Sequence, residues 1–159
     1  MFDISNIFVS LKTQAPLSEL ERTVFYALDK AIKSYRQFAQ RNIRERRIDI
    51  TIDQWLTLKT IKDYPDLTQK EIAEIVFKDY ASVTRIIELL VAGGYLKRSF
   101  HHTDRRRYKL ELTPQGEDVY KKLVPIVQQN RQTALQGLSE NDIQQLKGLL
   151  QKITDNCSK

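Results

Sequence analysis

Residues 103–113, TDRRRYKLELT, decide how this chain is read. Arg105, Arg106 and Arg107 stand between Asp104 and the run Tyr108-Lys109-Leu110-Glu111-Leu112, which alternates apolar and polar side chains as a half-buried strand requires. The segment Tyr95-Leu96-Lys97-Arg98-Ser99-Phe100 alternates in the same way. Together they predict a β-hairpin in which Tyr108, Leu110 and Leu112 face a core, Lys109 and Glu111 face water, and HHTDRRR forms a basic tip. Asp104 is suited to pair with the guanidinium of Arg106, holding one arginine fork in place among flexible cations. Such a tip has two readings: a solvated charged turn, or a projection whose cations reach into a nucleic-acid groove.

The residues upstream bear on that choice. Thr68-Gln69-Lys70-Glu71 is a capping box, predicting a helix to about Val76 that buries Ile72, Ile75 and Val76. Asp79 is placed to cap a second helix, whose Val83, Ile86, Ile87, Leu90 and Val91 recur at helical spacing and stop at Gly93-Gly94. Its opposite face carries Tyr80, Ala81, Ser82, Thr84, Arg85 and Glu88, with the small hydroxyl residues at the N-terminal end, where a recognition helix meets base edges and phosphates. Taken alone, the pattern also fits an ordinary helical hairpin with a polar outer face.

Capped helix, turn, polar-faced helix, Gly-Gly, strand, basic tip and strand make a winged helix-turn-helix, and in this order the chain resembles the MarR family of transcriptional regulators. The resemblance is carried by Thr68-Gln-Lys-Glu-Ile-Ala, by Val83-Thr84-Arg85-Ile86-Ile87 with Leu89-Leu90 and Gly94-Tyr95-Leu96, and above all by Asp104-x-Arg106 followed by Leu112-Thr113-x-x-Gly116. It spans roughly residues 20 to 155. It implies a homodimer on pseudo-palindromic operator DNA, with the second helix of the motif in the major groove and a wing arginine, here Arg106, in the adjacent minor groove beside Asp104. It also implies that small aromatic or phenolic molecules bind between the dimerisation helices and the winged lobe. Tyr26, Tyr35, Trp55 and Leu58 are the local candidates for that crevice, although a lone tryptophan on an amphipathic helix also fits plain core.

The remaining chain reads as pairing machinery. Ser18-Glu19-Leu20-Glu21 is a capping box from which a helix can run without Pro or Gly to about Arg47, roughly 45 Å long. Val24, Ala27, Leu28, Ala31, Tyr35 and Phe38 repeat along one of its faces. Thr113-Pro114 starts a helix with Val119, Tyr120, Leu123, Val124 and Val127 on one side, and Ser139 starts another with a seam of Ile143, Leu146, Leu149, Leu150 and Ile153. Residues 1–17 fit a short amphipathic arm that clasps a partner subunit. The expected class is mainly α with a small β wing (α+β), one domain over residues 1–159. In it, 1–48 and 114–159 supply dimerisation helices and 49–113 the DNA-binding winged helix-turn-helix lobe.

Composition agrees with a polyanionic partner: 159 residues, 41% hydrophobic, with a formal charge of +6. Basic residues gather at Arg41, Arg44, Arg46 and Arg47 and again at Lys97, Arg98, Arg105, Arg106, Arg107 and Lys109. No run is long enough for a bilayer span and the N-terminus lacks a secretory pattern, so a cytoplasmic protein without membrane contact is expected. The one cysteine, Cys157, reads as a bystander near the chain end.

No phosphate loop, nucleophile elbow or zinc-protease helix occurs, and the two histidines, His101 and His102, are adjacent, a spacing at which side chains on a strand or turn tend to point apart, so neither an enzyme nor a metal or cofactor site is expected. The reading is a homodimeric DNA-binding regulator, a repressor released by a small aromatic ligand. Base readout falls to Tyr80, Ala81, Ser82, Thr84 and Arg85, wing contacts to Arg105, Arg106 and Arg107, and phosphate contacts to Thr68, Gln69, Lys97 and Arg98. The alternative keeps the fold but makes it a protein-interaction module whose basic wing meets an acidic partner.

Overall fold

The computed structural model describes residues 19–100 and 108–158, and the chain divides into two compact units, residues 1–37 and 38–159. Local chemistry sets where each helix begins. Helices α1 (Val24–Glu45), α2 (Ile52–Asp63), α3 (Gln69–Ile75), α4 (Tyr80–Ala92), α5 (Pro114–Ala134) and α6 (Glu140–Cys157) each follow a short polar side chain, respectively Thr23, Thr51, Thr68, Asp79, Thr113 and Ser139. Every one of these accepts a hydrogen bond from the amide three residues on, satisfying a donor that has no partner within the helix.

The first helix is shorter than its sequence suggests. Residues Leu20–Arg22 form a single 3-10 turn, and Thr23 is extended (ψ 145°). The Thr23 hydroxyl donates to the Leu20 carbonyl and accepts from the Tyr26 amide, so it closes the turn and starts the helix anew. The expected helix from Ser18 to Arg47 is therefore corrected to Val24–Glu45, about 33 Å of helix. Ser18 itself, like the proposed arm at 1–17, lies outside the described residues.

Within residues 38–159, α4 packs against α2, α3 and the first strand, while α5 packs against α2 and the second strand. Val83, Ile87 and Leu90 of α4 are fully buried with Leu58 of α2 and Leu123 of α5, so the helical spacing of the sequence does place one face of α4 in the core. Strands β1 (Leu96–Phe100) and β2 (Tyr108–Leu112) pair antiparallel, with Leu96 opposite Leu112 and Phe100 opposite Tyr108. Leu96 and Leu110 are buried and anchor this ribbon to the core. One expectation fails here: Ile75 is 44% exposed. Its helix ends at Ile75, so the turn that would have covered that side chain is never made.

Two further contacts fix the C-terminal end of α1 to α5. Asn42 donates through Nδ2 to Oδ1 of the buried Asn130 at 2.7 Å, and Arg46 donates to Gln129 at 3.1 Å. The last helix behaves differently from the rest. No residue of α6 is buried, and its seam leaves Leu146, Leu149 and Leu150 at the surface. Among the described residues, no helix is long and apolar enough to cross a membrane.

Candidate nucleic-acid interface

The N-terminal turn of α4 is held by Asp79. One carboxylate oxygen accepts from the Ser82 amide at 2.8 Å and the other from the Ser82 hydroxyl at 2.6 Å. The Ser82 hydroxyl first, and its amide second, hold the Asp79 carboxyl below its ordinary value, as a charge-assisted cap does. Thr84 donates to the Tyr80 carbonyl at 2.9 Å and lies 3.2 Å from Oε1 of Gln69, linking α4 to α3.

These bonds redistribute the roles expected of the helix. Ser82 and Thr84 are half-buried and their hydroxyl protons are committed inside the chain, whereas Tyr80, Ala81 and Arg85 are exposed. The side chains free to reach a base edge are thus Tyr80 and Arg85, with Ala81 offering only a methyl group. At the start of α3, the Thr68 hydroxyl and amide both donate to Glu71 Oε2 at 2.7 Å. A phosphate approaching Thr68 would meet that carboxylate. Gln69 Oε1 lies near the Thr84 hydroxyl, whose proton goes to Tyr80, and the Gln69 amide N–H groups are donors.

The wing is attached to this helix by a compact clamp. Gly94 takes a left-handed conformation (φ 76°) after α4. The Thr113 hydroxyl donates to the Gly94 carbonyl at 2.5 Å while accepting the Gly116 amide, and the Thr113 amide donates to the Tyr95 carbonyl at 3.1 Å. One threonine therefore caps α5 and closes the base of the hairpin. On the outward face of the ribbon, Lys97 and Lys109 lie 3.2 and 3.4 Å from the two oxygens of Glu111. Lys97 first, then Lys109, hold the Glu111 carboxyl below its usual value. Arg98 is exposed opposite Leu110. The wing tip with Asp104, Arg105, Arg106 and Arg107 lies outside the described residues.

Of the residues nominated for a ligand crevice, Tyr26 and Tyr35 belong to the unit 1–37 and Trp55 and Leu58 to the unit 38–159. Leu58 is fully buried and Trp55 nearly so, its ring 5.1 Å from that of Tyr120. Lys62 sits 5.1 Å over the Tyr120 ring and bonds both oxygens of Glu117 at 2.6 Å. The Trp55 Nε1–H has no acceptor among the described residues. Sequence reasoning missed one exposed residue of the motif: Phe77, in the turn between α3 and α4, is 94% exposed at a φ of 53°. Neither property is visible in an apolar residue that follows an apolar run.

Residues 48–107 match the MarR family model. The structure is similar to that of BpsR from Bordetella bronchiseptica, whose DNA binding is regulated by 6-hydroxynicotinic acid, with 26% identity over 89% of this chain and 99% of that one and a TM-score of 0.77. It is similar to the transcriptional regulator SlyA, with 27% identity over 85% and 94% of the two chains and a TM-score of 0.75. A protein from Listeria innocua shares 28% identity over 84% and 91%, at a TM-score of 0.64.

Proposed function

We propose, for a chain that belongs to the MarR family of winged-helix transcriptional regulators, that it acts as a homodimer on pseudo-palindromic operator DNA and represses until a small aromatic molecule releases it. The observation that carries this reading is the two-sidedness of α4. Its Val83, Ile87 and Leu90 are locked in the core, and Tyr80, Ala81 and Arg85 are exposed toward its capped N-terminal end, while a wing is tied to its C-terminal end through Gly94 and Thr113. Such a surface is complementary to a major groove, with the basic wing toward the flanking backbone. In this reading Arg106 enters the minor groove with Asp104 orienting it, Arg105, Arg107 and Arg98 neutralise phosphates, and Gln69 donates to one.

Residues 49–113 form the reading lobe, and 1–48 with 114–159 the dimerisation layer. The unburied seam of α6 supports the pairing, because a helix of this length is stabilised mainly by packing an apolar face. Release by an aromatic acid is supported by BpsR, and the Trp55 Nε1–H, which has no acceptor among the described residues, suits the carboxylate or carbonyl of such a ligand. The protein is a regulator without a turnover step and works in the cytoplasm.

Selection from random duplex DNA at near-physiological salt tests the reading, since that salt suppresses non-specific binding by a basic protein. Enrichment of an inverted repeat with half-sites about one helical turn apart is expected. Failure to enrich any sequence with folded, dimeric protein overturns it in favour of a protein-interaction module.

A further inference from the structure

Phe77 stands in the turn Val76–Lys78, between α3 and the Asp79 cap of α4. The turn is held by backbone bonds from Val76 to Ile72, from Phe77 to Glu74 and from Lys78 to Ala73, at 3.0, 3.3 and 3.0 Å. Lys78 adds an ion pair to Asp53 of α2 at 3.0 Å. This closure needs a left-handed residue, a role that glycine fills without steric cost. Here a phenylalanine takes it at φ 53°, and its ring is 94% exposed. The backbone conformation is unfavourable for a residue with a Cβ, and packing inside the chain does nothing to offset it.

We propose that Phe77 is a specificity-determining DNA contact whose ring packs on the 5-methyl group of a thymine at the edge of each half-site. One residue, Lys78, separates it from Asp79, so its Cα lies at most about 7 Å from that of the helix cap. It therefore lies next to the end of α4 that displays Tyr80, itself 58% exposed, within reach of the surface assigned above to base readout. The major-groove edges of the bases carry one exposed apolar group, the thymine methyl, and an aromatic ring is a partner for it. A residue that is unfavourable in the free protein and uncovered by it fits a site whose packing is completed by the bound duplex.

The inference rests on the operator reading, and the experiment separates the two. The probe is the duplex selected by the wild-type protein, together with copies in which single thymines are replaced by uracil, which lacks the methyl group and keeps the same hydrogen-bonding edge. One position in each half-site should weaken the wild-type protein roughly fourfold on losing its methyl. At that position Phe77→Ala should bind thymine and uracil duplexes equally, with its melting temperature unchanged because the ring is exposed. Phe77→Leu, which keeps an apolar contact, should retain part of the thymine preference. If Phe77→Ala binds the operator as tightly as wild type, or loses affinity by the same factor on every uracil duplex, the proposal is overturned. If the wild type selects no sequence at all, the operator reading falls first and this contact with it.

Discussion

A side chain on Gly116 would place its Cβ 2.0 Å from the carbonyl oxygen of Tyr95, so the first turn of α5 rests directly on the backbone where the wing begins. The neighbour in the way is main chain, which cannot swing aside as a flexible side chain can. Gly116→Ala should therefore force the clamp around Thr113 apart, at the upper end of overpacking costs, about 3 kcal/mol. For a chain of this size that lowers the melting temperature by roughly 6–12 °C. An unchanged melting curve would mean that the wing base is looser than this contact implies.

The Asp79 cap gives a pH signature. Its folded carboxyl titrates below the ordinary value of 3.8 because Ser82 bonds the charged form. A depressed carboxyl contributes stability above its unfolded pKa and loses it as pH falls through the folded one. Asp79→Asn keeps a capping oxygen but cannot ionise. Wild type should melt above Asp79→Asn at neutral pH, and the gap should close as pH falls below 3.8. A gap that stayed constant down to about pH 2 would assign the difference to shape and not to charge.

Glu111 tempers the wing. It holds Lys97 and Lys109 in solvent-accessible ion pairs, which are individually weak, yet its own charge opposes a phosphate brought to the same face. Glu111→Gln should tighten DNA binding at low salt and steepen the dependence of log K on log salt by roughly one unit, the value of one further phosphate neutralised. The measurement is anisotropy across a salt series; parallel lines for the two proteins would remove the lysines from the interface.

The seam on α6 can be charged without touching the core. Leu146 and Leu149 are 43% and 58% exposed, so Leu146→Glu with Leu149→Glu leaves the winged lobe folded. If this face pairs with a second copy, light scattering should show half the mass of the wild type and operator affinity should collapse, because one lobe alone holds only half the contacts. A double variant that kept the wild-type mass would move the dimer contact to another surface.

What the chain's sequence made legible was chemistry confined to one or two turns. Thr68, Asp79, Thr113 and Ser139 each act on an amide three residues away, and all four cap the helices expected of them. Val83, Ile87 and Leu90 declared their buried face by spacing alone. Features set by competition between neighbours were not legible. The start of α1 is one of them: the extended backbone at Thr23 ends the turn before it, and the Thr23 hydroxyl begins the helix. Ser82 and Thr84 looked like free donors until the carboxylate of Asp79 and the carbonyl of Tyr80 were seen to hold their protons. Helicity promised a cover for Ile75 that the turn at Phe77 removes.

That turn also allows the strain at Phe77 to be measured without DNA. A left-handed residue bearing a Cβ costs about 1–2 kcal/mol, while replacing it by glycine costs about 0.5–1 kcal/mol through the entropy of the unfolded chain. The first effect exceeds the second, and the ring, 94% exposed, contributes no packing that its removal would forfeit. Phe77→Gly should thus be neutral to stabilising, by up to about 1 kcal/mol in urea unfolding, and at the same time bind operator less tightly. A stability gain paired with a loss of affinity would place the value of the phenylalanine outside the free protein. A clear loss of stability would instead show that the ring contributes to the fold, and the strain argument for a DNA contact would lose its premise.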